Sequence, residues 1–315
     1  MRNRRKKSKR LFLKCVIFPA FLLLGAYVFL SSGNASNEAL PAEGMVSLPR
    51  FSACSGTSNP TGASDFSGYP AGFPAFTGQI STASITDTQY LKLVNRERAL
   101  ADGVRDGQLV TVWPDLPARD TYVTLHESAM EAMRALFAAA SQANINNLFV
   151  ACGFRTHEKQ RQLYENALDR SFVMPAGHSE HQLGLAADIL GSGLYHTGGM
   201  AGSEEARWLA ENAPQFGLIL RYPADKQDIT EVSYEPWHFR YVGRVHAWFM
   251  AERGFVLEEY IDYLQAQGGY QTVLEGRQYY VLYQRPARGM IFVPEDLAFR
   301  VSSANTGGFI VTAWR

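Results

Sequence analysis

The chain has 315 residues, of which 46% are hydrophobic, a content too high for a disordered protein and sufficient for one ordinary domain with a small appendage. Its formal net charge is zero, but residues 1–14 hold eight basic residues and no acidic residue, so the remainder has 22 basic and 30 acidic residues. A negatively charged folded part argues against a nucleic acid partner, because phosphate binding needs a basic face.

The N-terminus combines this basic head with an apolar run. The residues from Cys15 to Leu30 are uncharged, and including 11–14 brings the segment to the length that a membrane-spanning helix needs. Basic residues before such a run favour the cytoplasmic side. Residues 1–30 are therefore predicted to be a single-pass anchor, or alternatively a signal peptide cleaved near Ala35; both interpretations place the rest outside the cytoplasm.

Composition and periodicity divide the remaining chain into three parts. Residues 31–85, rich in Ser, Gly, Thr and Pro, predict a flexible linker. Residues 86–267 mix strand and helix patterns, which predicts an α+β domain, and residues 268–315 predict a small β extension. Within the domain we expect strands at 90–95, 147–152, 184–190 and 237–242, and helices at 128–143, 158–169, 204–212, 245–253 and 257–267.

Three cysteines bear on the redox state. Cys15 lies in the apolar N-terminal run, which leaves Cys54 and Cys152 for the folded part. An oxidising compartment would permit a disulfide between them, and the sequence leaves both a disulfide and two free thiols open. There is no CxxC motif, which excludes a cysteine-based zinc site.

Two segments, Ser179–Asp188 and Glu235–Arg240, carry residues suited to metal-assisted hydrolysis. A catalytic zinc takes three protein ligands and one water, and His181, Asp188 and His238 would supply two imidazoles and one carboxylate. Asp188 lies in an apolar run predicted to be a buried strand, where a charge is costly unless it is paired or coordinated. Glu235 is a candidate base for a metal-bound water. From spacing alone, a metal site and unrelated histidines both stay open.

The spacing does exclude the helical HExxH type of zinc site. Pro236 disfavours helical backbone at Glu235, and the residues that follow alternate as they do in a strand. We therefore expect Glu235 at a turn entering a strand, with His238 and Arg240 on one side of that strand.

Three blocks together resemble the VanY-like D-alanyl-D-alanine carboxypeptidases, zinc peptidases that also include D,D-dipeptidases and L,D-carboxypeptidases. The blocks are Cys152–Gln160, Ser179–Asp188 and Glu235–Arg240, and the resemblance covers about residues 88–264. It implies a small antiparallel sheet flanked by helices. It also implies Zn²⁺ on His181, Asp188 and His238, with Glu235 as the base, Arg155 facing the substrate, and Gln160 and Ser179 contacting it.

The first block departs from the family pattern, which more often opens Ser-Gly-Tyr-Arg where this chain has Cys152-Gly-Phe-Arg155. Arg155 has a rationale of its own, because a carboxypeptidase must recognise a free carboxylate and the guanidinium fork binds one at two places.

The resemblance implies removal of the terminal D-alanine from peptidoglycan stem pentapeptides. Three alternatives stay open: an L,D-carboxypeptidase acting on tetrapeptide stems, an endopeptidase, which would need no carboxylate clamp, and a wall-binding module that has lost catalysis. The expected partners are stem peptides and, through the N-terminal helix, the cytoplasmic membrane.

Overall fold

The computed structural model describes residues 72–85, 90–100, 108–194 and 197–315. The predicted anchor, residues 31–71 of the predicted linker, and Cys54 lie outside these ranges. Within the described residues, helices that combine the length and the apolar character needed to cross a membrane are absent.

Small antiparallel sheets and helices make up the described residues, which confirms the α+β class. The strands are β1 (Gly78–Ser81), β2 (Leu109–Thr111), β3 (Thr124–His126), β4 (Leu148–Cys152), β5 (Ala186–Gly191), β6 (Leu218–Leu220), β7 (His238–Tyr241), β8 (Gly269–Leu274), β9 (Arg277–Gln284), β10 (Met290–Val293), β11 (Ala298–Ser303) and β12 (Phe309–Trp314). The helices are α1 (Glu127–Gln142), α2 (His157–Glu165), α3 (Thr197–Met200), α4 (Glu204–Asn212), α5 (Gln227–Thr230), α6 (Arg244–Arg253) and α7 (Leu257–Gln267).

The sheet that positions the site has the order β4-β5-β7-β6, and each neighbouring pair in it is antiparallel. All residues of β5 are buried, which agrees with its nearly continuous apolar sequence. Helix α1 places Met130, Met133 and Leu136 in the core, as their helical spacing predicts. The helix ends before Asn144, whose positive φ turns the chain out of the helical path.

The C-terminal β extension shares its core with the rest of the described fold. Its strands form a sheet of order β11-β12-β9-β8, and Tyr270, Val281 and Ile310 pack in the same buried cluster as the site-bearing sheet. A buried polar chain adds to this packing: His246 Nδ1 lies 2.5 Å from the Tyr260 hydroxyl, and His246 Nε2 lies 3.0 Å from Thr312 Oγ1. The change in sequence pattern at residue 268 is therefore not a boundary between two cores.

Two expectations about the start of the domain were wrong. The predicted linker to residue 85 includes β1, which pairs with β10 more than 200 residues later in the sequence. The segment 90–95 is not a strand, although residues 90–94 are buried. Its backbone makes scattered bonds in place of a strand ladder: Leu91 N–H donates to Ser302 Oγ, Leu93 N–H donates to the Ala304 carbonyl, and the Lys92 carbonyl accepts from Arg240. Helix α2 also ends four residues earlier than predicted, with Asn166 as its cap.

We predict that His246 makes the fold sensitive to acid. Burial lowers the pKa of His246 to about 3, whereas an unfolded chain takes up the proton below about 6.5. The stabilising contribution is thus complete above pH 6.5 and is lost as the pH falls towards 3. From pH 7 to pH 5 the unfolding free energy of the wild type should fall by about 2 kcal/mol more than that of His246→Gln.

Urea denaturation at the two pH values measures this difference. His157→Gln, at an exposed histidine, is the matched control and should keep the wild-type pH dependence. Equal pH dependence in the wild type and His246→Gln would contradict the prediction.

Candidate active site

Strand register aligns three side chains across the site-bearing sheet. Cys152 on β4 is the Cα partner of Asp188 on β5, and Asp188 is the partner of His238 on β7. Directly opposed residues on antiparallel strands project to the same face about 5 Å apart. Asp188 and His238 line a cavity of about 630 Å³, which His181 also lines.

His181 reaches the cavity from a short 3-10 turn, Glu180–Leu183. The turn closes on Gly184, whose φ of 68° lies in the left-handed region that glycine tolerates best. His181 Nδ1 lies 2.7 Å from the Gly153 carbonyl and must donate to it. In the neutral ring Nε2 then carries the lone pair, and this nitrogen faces Asp188 Oδ1 at 3.4 Å.

The resulting donor set fits a tetrahedral divalent cation. His238 Nδ1 lies 3.3 Å from Asp188 Oδ1, the same oxygen that His181 approaches. This oxygen is buried and has no hydrogen-bond partner among the described residues. Ligand atoms about 2.0–2.1 Å from a tetrahedral metal lie about 3.3–3.4 Å apart, and each of the two imidazole nitrogens lies that far from Asp188 Oδ1. Two imidazole nitrogens and one carboxylate oxygen are also ligands that zinc accepts.

Glu235 adjoins this cluster at the turn before β7. Its Oε2 lies 3.5 Å from His238 Nδ1, and its backbone N–H donates to the Tyr222 carbonyl at 3.0 Å. Glu235 therefore lies at a turn entering a strand, as predicted. His238 and Arg240 lie on one face of β7, also as predicted, since both side chains approach Glu180. Burial raises the pKa of Glu235 to about 7, although His238 opposes the shift.

Asp188 stays ionised in this environment. Burial alone would raise its pKa, but His181, His238 and Arg155 hold it well below its usual range. The second oxygen, Oδ2, accepts from Arg155 Nη2 at 3.1 Å. The two oxygens of Asp188 thus have different partners: Oδ1 faces the imidazoles and Oδ2 faces the guanidinium.

Arg155 and Gln160 lie at the site, and both make hydrogen bonds within the protein that the sequence did not predict. Arg155 Nε donates to Cys152 Sγ, and Nη1 donates to Gln160 Oε1 at 3.3 Å. The Gln160 amide nitrogen donates to the Met174 carbonyl at 2.6 Å. Both residues line the cavity, as does Ser179, so all the predicted site residues lie together.

The remaining cavity wall is largely apolar. It is formed by α2, by the chain that follows α2 and by the segment between β6 and β7. Its apolar members are Leu163, Ala167, Leu168, Phe172, Val173, Met174, Tyr222, Val232 and Trp237. Such a wall suits a ligand with small apolar side chains and few charges.

Cys152 lies closer to the site than the sequence indicated. Ligand atoms of Cys152, His181 and Asp188 all lie within 4.8 Å of one another. The thiol does not pair with a cysteine among the described residues, and whether Cys54 reaches it lies outside them.

Sequence reasoning missed three buried residues around the site, Glu180, Arg221 and Tyr222. Arg221 Nε donates to Glu180 Oε1 at 2.8 Å, and the Tyr222 ring lies 4.8 Å from the His238 ring. The available signal was the position of Glu180, directly before His181 in the second block.

The sequence is similar to a known protein family and to individual members of it. The D-alanyl-D-alanine carboxypeptidase (VanY) family matches residues 122–244. A D-alanyl-D-alanine carboxypeptidase of Enterococcus faecium is 38% identical over 176 residues, 56% of each chain. The bifunctional D-Ala-D-Ala dipeptidase and carboxypeptidase VanXYC of Enterococcus gallinarum is 36% identical over 189 residues, 55% of this chain and 94% of that protein.

Two solved structures are also similar to this chain. The vancomycin-resistance D,D-dipeptidase VanXYg, solved with a D-Ala-D-Ala phosphinate analogue, superposes with a TM-score of 0.65 at 28% identity, covering 75% of this chain and 98% of its own. The L,D-carboxypeptidase LdcB has a TM-score of 0.50 at 32% identity, covering 55% of this chain and 86% of its own. The fold is thus shared with enzymes of two specificities, D,D and L,D.

We predict that Gly153→Ala disrupts the cation site. A Cβ at Gly153 would lie 2.2 Å from the Thr124 carbonyl oxygen, so the end of β4 must shift. The shift would move the carbonyl that holds His181 and lower divalent-cation affinity at least 10-fold, on the order of the effect of losing an outer-shell partner.

Equilibrium dialysis against Zn²⁺ measures the change. The control is Gly193→Ala, where a Cβ meets nothing within 4 Å and only the positive φ is unfavourable. The control should be mildly destabilised and bind as the wild type does. Wild-type affinity in Gly153→Ala would refute the prediction.

Proposed function

The chain belongs to the VanY-like D-alanyl-D-alanine carboxypeptidase family, and we propose that it is a zinc peptidase that removes the terminal D-alanine from peptidoglycan stem pentapeptides. The observation that carries the proposal is the convergence of two imidazole nitrogens on Asp188 Oδ1, with Glu235 beside them on one cavity. The matched region spans 56% of the E. faecium relative, so the substrate is proposed from site chemistry together with the family.

His181 Nε2, Asp188 Oδ1 and His238 Nδ1 would hold Zn²⁺, leaving one position for water. Bound zinc supplies a Lewis acid and lowers the pKa of its water towards about 7. The protein keeps the ligands in place: the Gly153 carbonyl orients His181, and Arg155 holds the other oxygen of Asp188. Such outer partners orient ligands and fix their tautomers.

Glu235 is the proposed general base and acid. Its carboxylate would take a proton from the attacking water, whose oxygen bonds to the scissile carbonyl carbon. When the C–N bond breaks, Glu235 returns that proton to the amine of the leaving D-alanine. Its distance of 3.5 Å from His238 Nδ1 and its burial support this role, because a base must lie beside the reacting water in a site of low dielectric.

Arg155, Gln160 and Ser179 are proposed to recognise the terminal D-alanine. Arg155 lines the cavity and carries more N–H groups than its contacts with Cys152, Gln160 and Asp188 use. The apolar wall near Phe172 and Trp237 suits the methyl groups of alanine residues.

Residues 1–30 are proposed to anchor the enzyme in the cytoplasmic membrane with the catalytic domain outside, and residues 31–71 to act as a tether. The basic head and apolar run support the anchor, and a peptidoglycan substrate lies on the outer side of that membrane. Secretion after signal cleavage is the alternative.

The L,D-carboxypeptidase reading stays a second candidate, supported by the likeness to LdcB. A wall-binding module without catalysis is less well supported, because proteins that lose catalysis usually lose a ligand or the base, and this chain keeps all four residues.

Mass spectrometry of synthetic stems incubated with the purified full-length chain tests the proposal. Loss of one D-alanine from the pentapeptide, abolished by a chelator and restored by Zn²⁺, is the expected result. Cleavage of the tetrapeptide alone would transfer the assignment to the L,D activity. No cleavage of either stem by the zinc-loaded protein would reject a peptidase of this class.

Glu235→Gln should lower turnover of the pentapeptide by about 10²–10⁴-fold, because the amide cannot accept the proton. Zinc stoichiometry should stay that of the wild type, since Glu235 is not a proposed ligand. Glu231→Gln, at an exposed carboxylate four residues earlier, is the control and should retain full turnover. A Glu235→Gln enzyme with near-normal turnover would remove the base assignment.

Arg155→Lys should weaken recognition of the terminal carboxylate. The informative quantity is the ratio of kcat/KM for a stem with a free carboxylate to that for its C-terminal amide. Any loss of zinc through the Asp188 contact affects both substrates equally and cancels from the ratio. The ratio should fall by about 10–100-fold, as expected for a charge-assisted bidentate contact.

Lys159→Ala supplies the control, because this second cation also lines the cavity. It should leave the ratio within about twofold of the wild type, since no clamp is assigned to Lys159. An unchanged ratio in Arg155→Lys would instead point to an endopeptidase, which needs no carboxylate clamp.

A further inference from the structure

Glu180 is a buried carboxylate with no part in the reaction proposed above. It directly precedes His181, yet its side chain is turned towards His238, whose Nε2 lies 3.4 Å from Glu180 Oε2. The side chains of Glu180 and His238 are 0% and 5% exposed, so water has little access to Glu180 Oε2 or His238 Nε2. Neither Glu180 Oε2 nor His238 Nε2 makes a hydrogen bond of good geometry with another described group.

His238 therefore lies between two carboxylates, one at each ring nitrogen. Asp188 Oδ1 faces Nδ1 at 3.3 Å, and Glu180 Oε2 faces Nε2 at 3.4 Å. A neutral imidazole has one N–H and one lone pair, so only one of its nitrogens can bind a cation. His181 Nε2 and the Glu235 carboxylate lie on the Nδ1 side, which is the side of the cavity.

The charge and position of Glu180 are fixed by two buried arginines. Arg221 Nε lies 2.8 Å and Arg240 Nη1 lies 3.0 Å from Glu180 Oε1, and both guanidinium groups are fully buried. Since both arginines approach Oε1, the second oxygen is left to face His238. Arg221 is held in turn by Glu258, which accepts from its Nη1 and Nη2 at 2.8 Å and 2.7 Å.

We propose that Glu180 is a positioning residue, whose Oε2 accepts the Nε2–H of His238 and thereby fixes the tautomer that presents Nδ1 to the cation. A small rotation of the ring would turn the 3.4 Å approach into a hydrogen bond. This inference rests on the cation site of the proposed function. It concerns the orientation and tautomer of His238, which are determined neither by the identity of the three proposed metal-binding residues nor by the proposed reaction.

Glu180→Gln is the discriminating variant because glutamine has nearly the shape of glutamate but replaces one accepting oxygen with a donating NH₂ group. If the amide oxygen keeps the two arginines, the amide NH₂ faces His238 Nε2. A donor there favours the Nδ1–H tautomer, which cannot bind a cation through Nδ1. Zinc affinity, measured by competition with a chromophoric chelator, should fall by about 10–100-fold, the usual effect of losing an outer-shell partner.

Glu258→Gln is the matched control. It removes one negative charge from the same buried cluster, at the far side of Arg221, and leaves the contact between Glu180 and His238 in place. Its zinc affinity should stay within about threefold of the wild type, even if its Tm falls by as much as that of Glu180→Gln. An equal loss of affinity in both variants would assign Glu180 a purely structural role and overturn the proposal.

The wild-type protein alone supplies the second measurement, which holds even if Glu180→Gln fails to fold. In zinc-loaded protein labelled with ¹⁵N-histidine, His238 should show a slowly exchanging proton on Nε2 and metal-shifted Nδ1. A protonated Nδ1 with Nε2 bound to zinc would overturn the proposal.

The two proposals fail differently. Zinc binding with the expected His238 tautomer but no cleavage of either stem would support this inference and reject only the reaction. A wild-type protein that binds no zinc would reject both.

Discussion

The antiparallel register between β5 and β7 is the constraint on which the site depends. It pairs Asp188 with His238, and a slip of one residue would turn either side chain to the opposite face of the sheet. The other groups are placed relative to this pair: His181 by a turn that ends on Gly184, and Glu235 by the turn that enters β7. The site is thus assembled from strand pairing and two turns, not from one helix.

This arrangement requires charges in the interior, and the structure compensates those of Asp188 and Glu180 with arginines. An isolated buried carboxylate is strongly unfavourable, so Asp188 has Arg155 at one oxygen, and Glu180 has two arginines. Breaking such a pair from one side leaves an uncompensated charge and costs several kcal/mol. The buried ions around the cluster therefore have little freedom to rearrange, which keeps the imidazoles and carboxylates within a narrow range of geometry.

The sequence predicted which residues lie together at the cavity far better than it predicted their interactions. Short blocks record residue identity and local spacing, so His181, Asp188, His238 and Glu235 could be identified and do lie together, and α4 and α7 begin and end as predicted. Contacts between distant segments leave no local pattern. For this reason the pairing of β1 with β10 and the contact of Arg155 with Asp188 were missed. The segment 90–95 was predicted to be a strand but is buried without strand pairing. A pattern of apolar and polar residues reflects burial and does not show which backbone groups pair.

Helix α7 connects the C-terminal extension to the proposed cation site. In its first turn Glu258 binds Arg221, whose guanidinium holds Glu180 behind His238. Two residues later the Tyr260 hydroxyl bonds to His246 and Tyr270, which belong to the packing between the helices and the extension. Because one short helix holds both sets of contacts, the extension stabilises the position of α7 and, through it, the position of Arg221 behind His238. The β extension therefore supports the site-bearing fold, even though none of its side chains lines the described cavity.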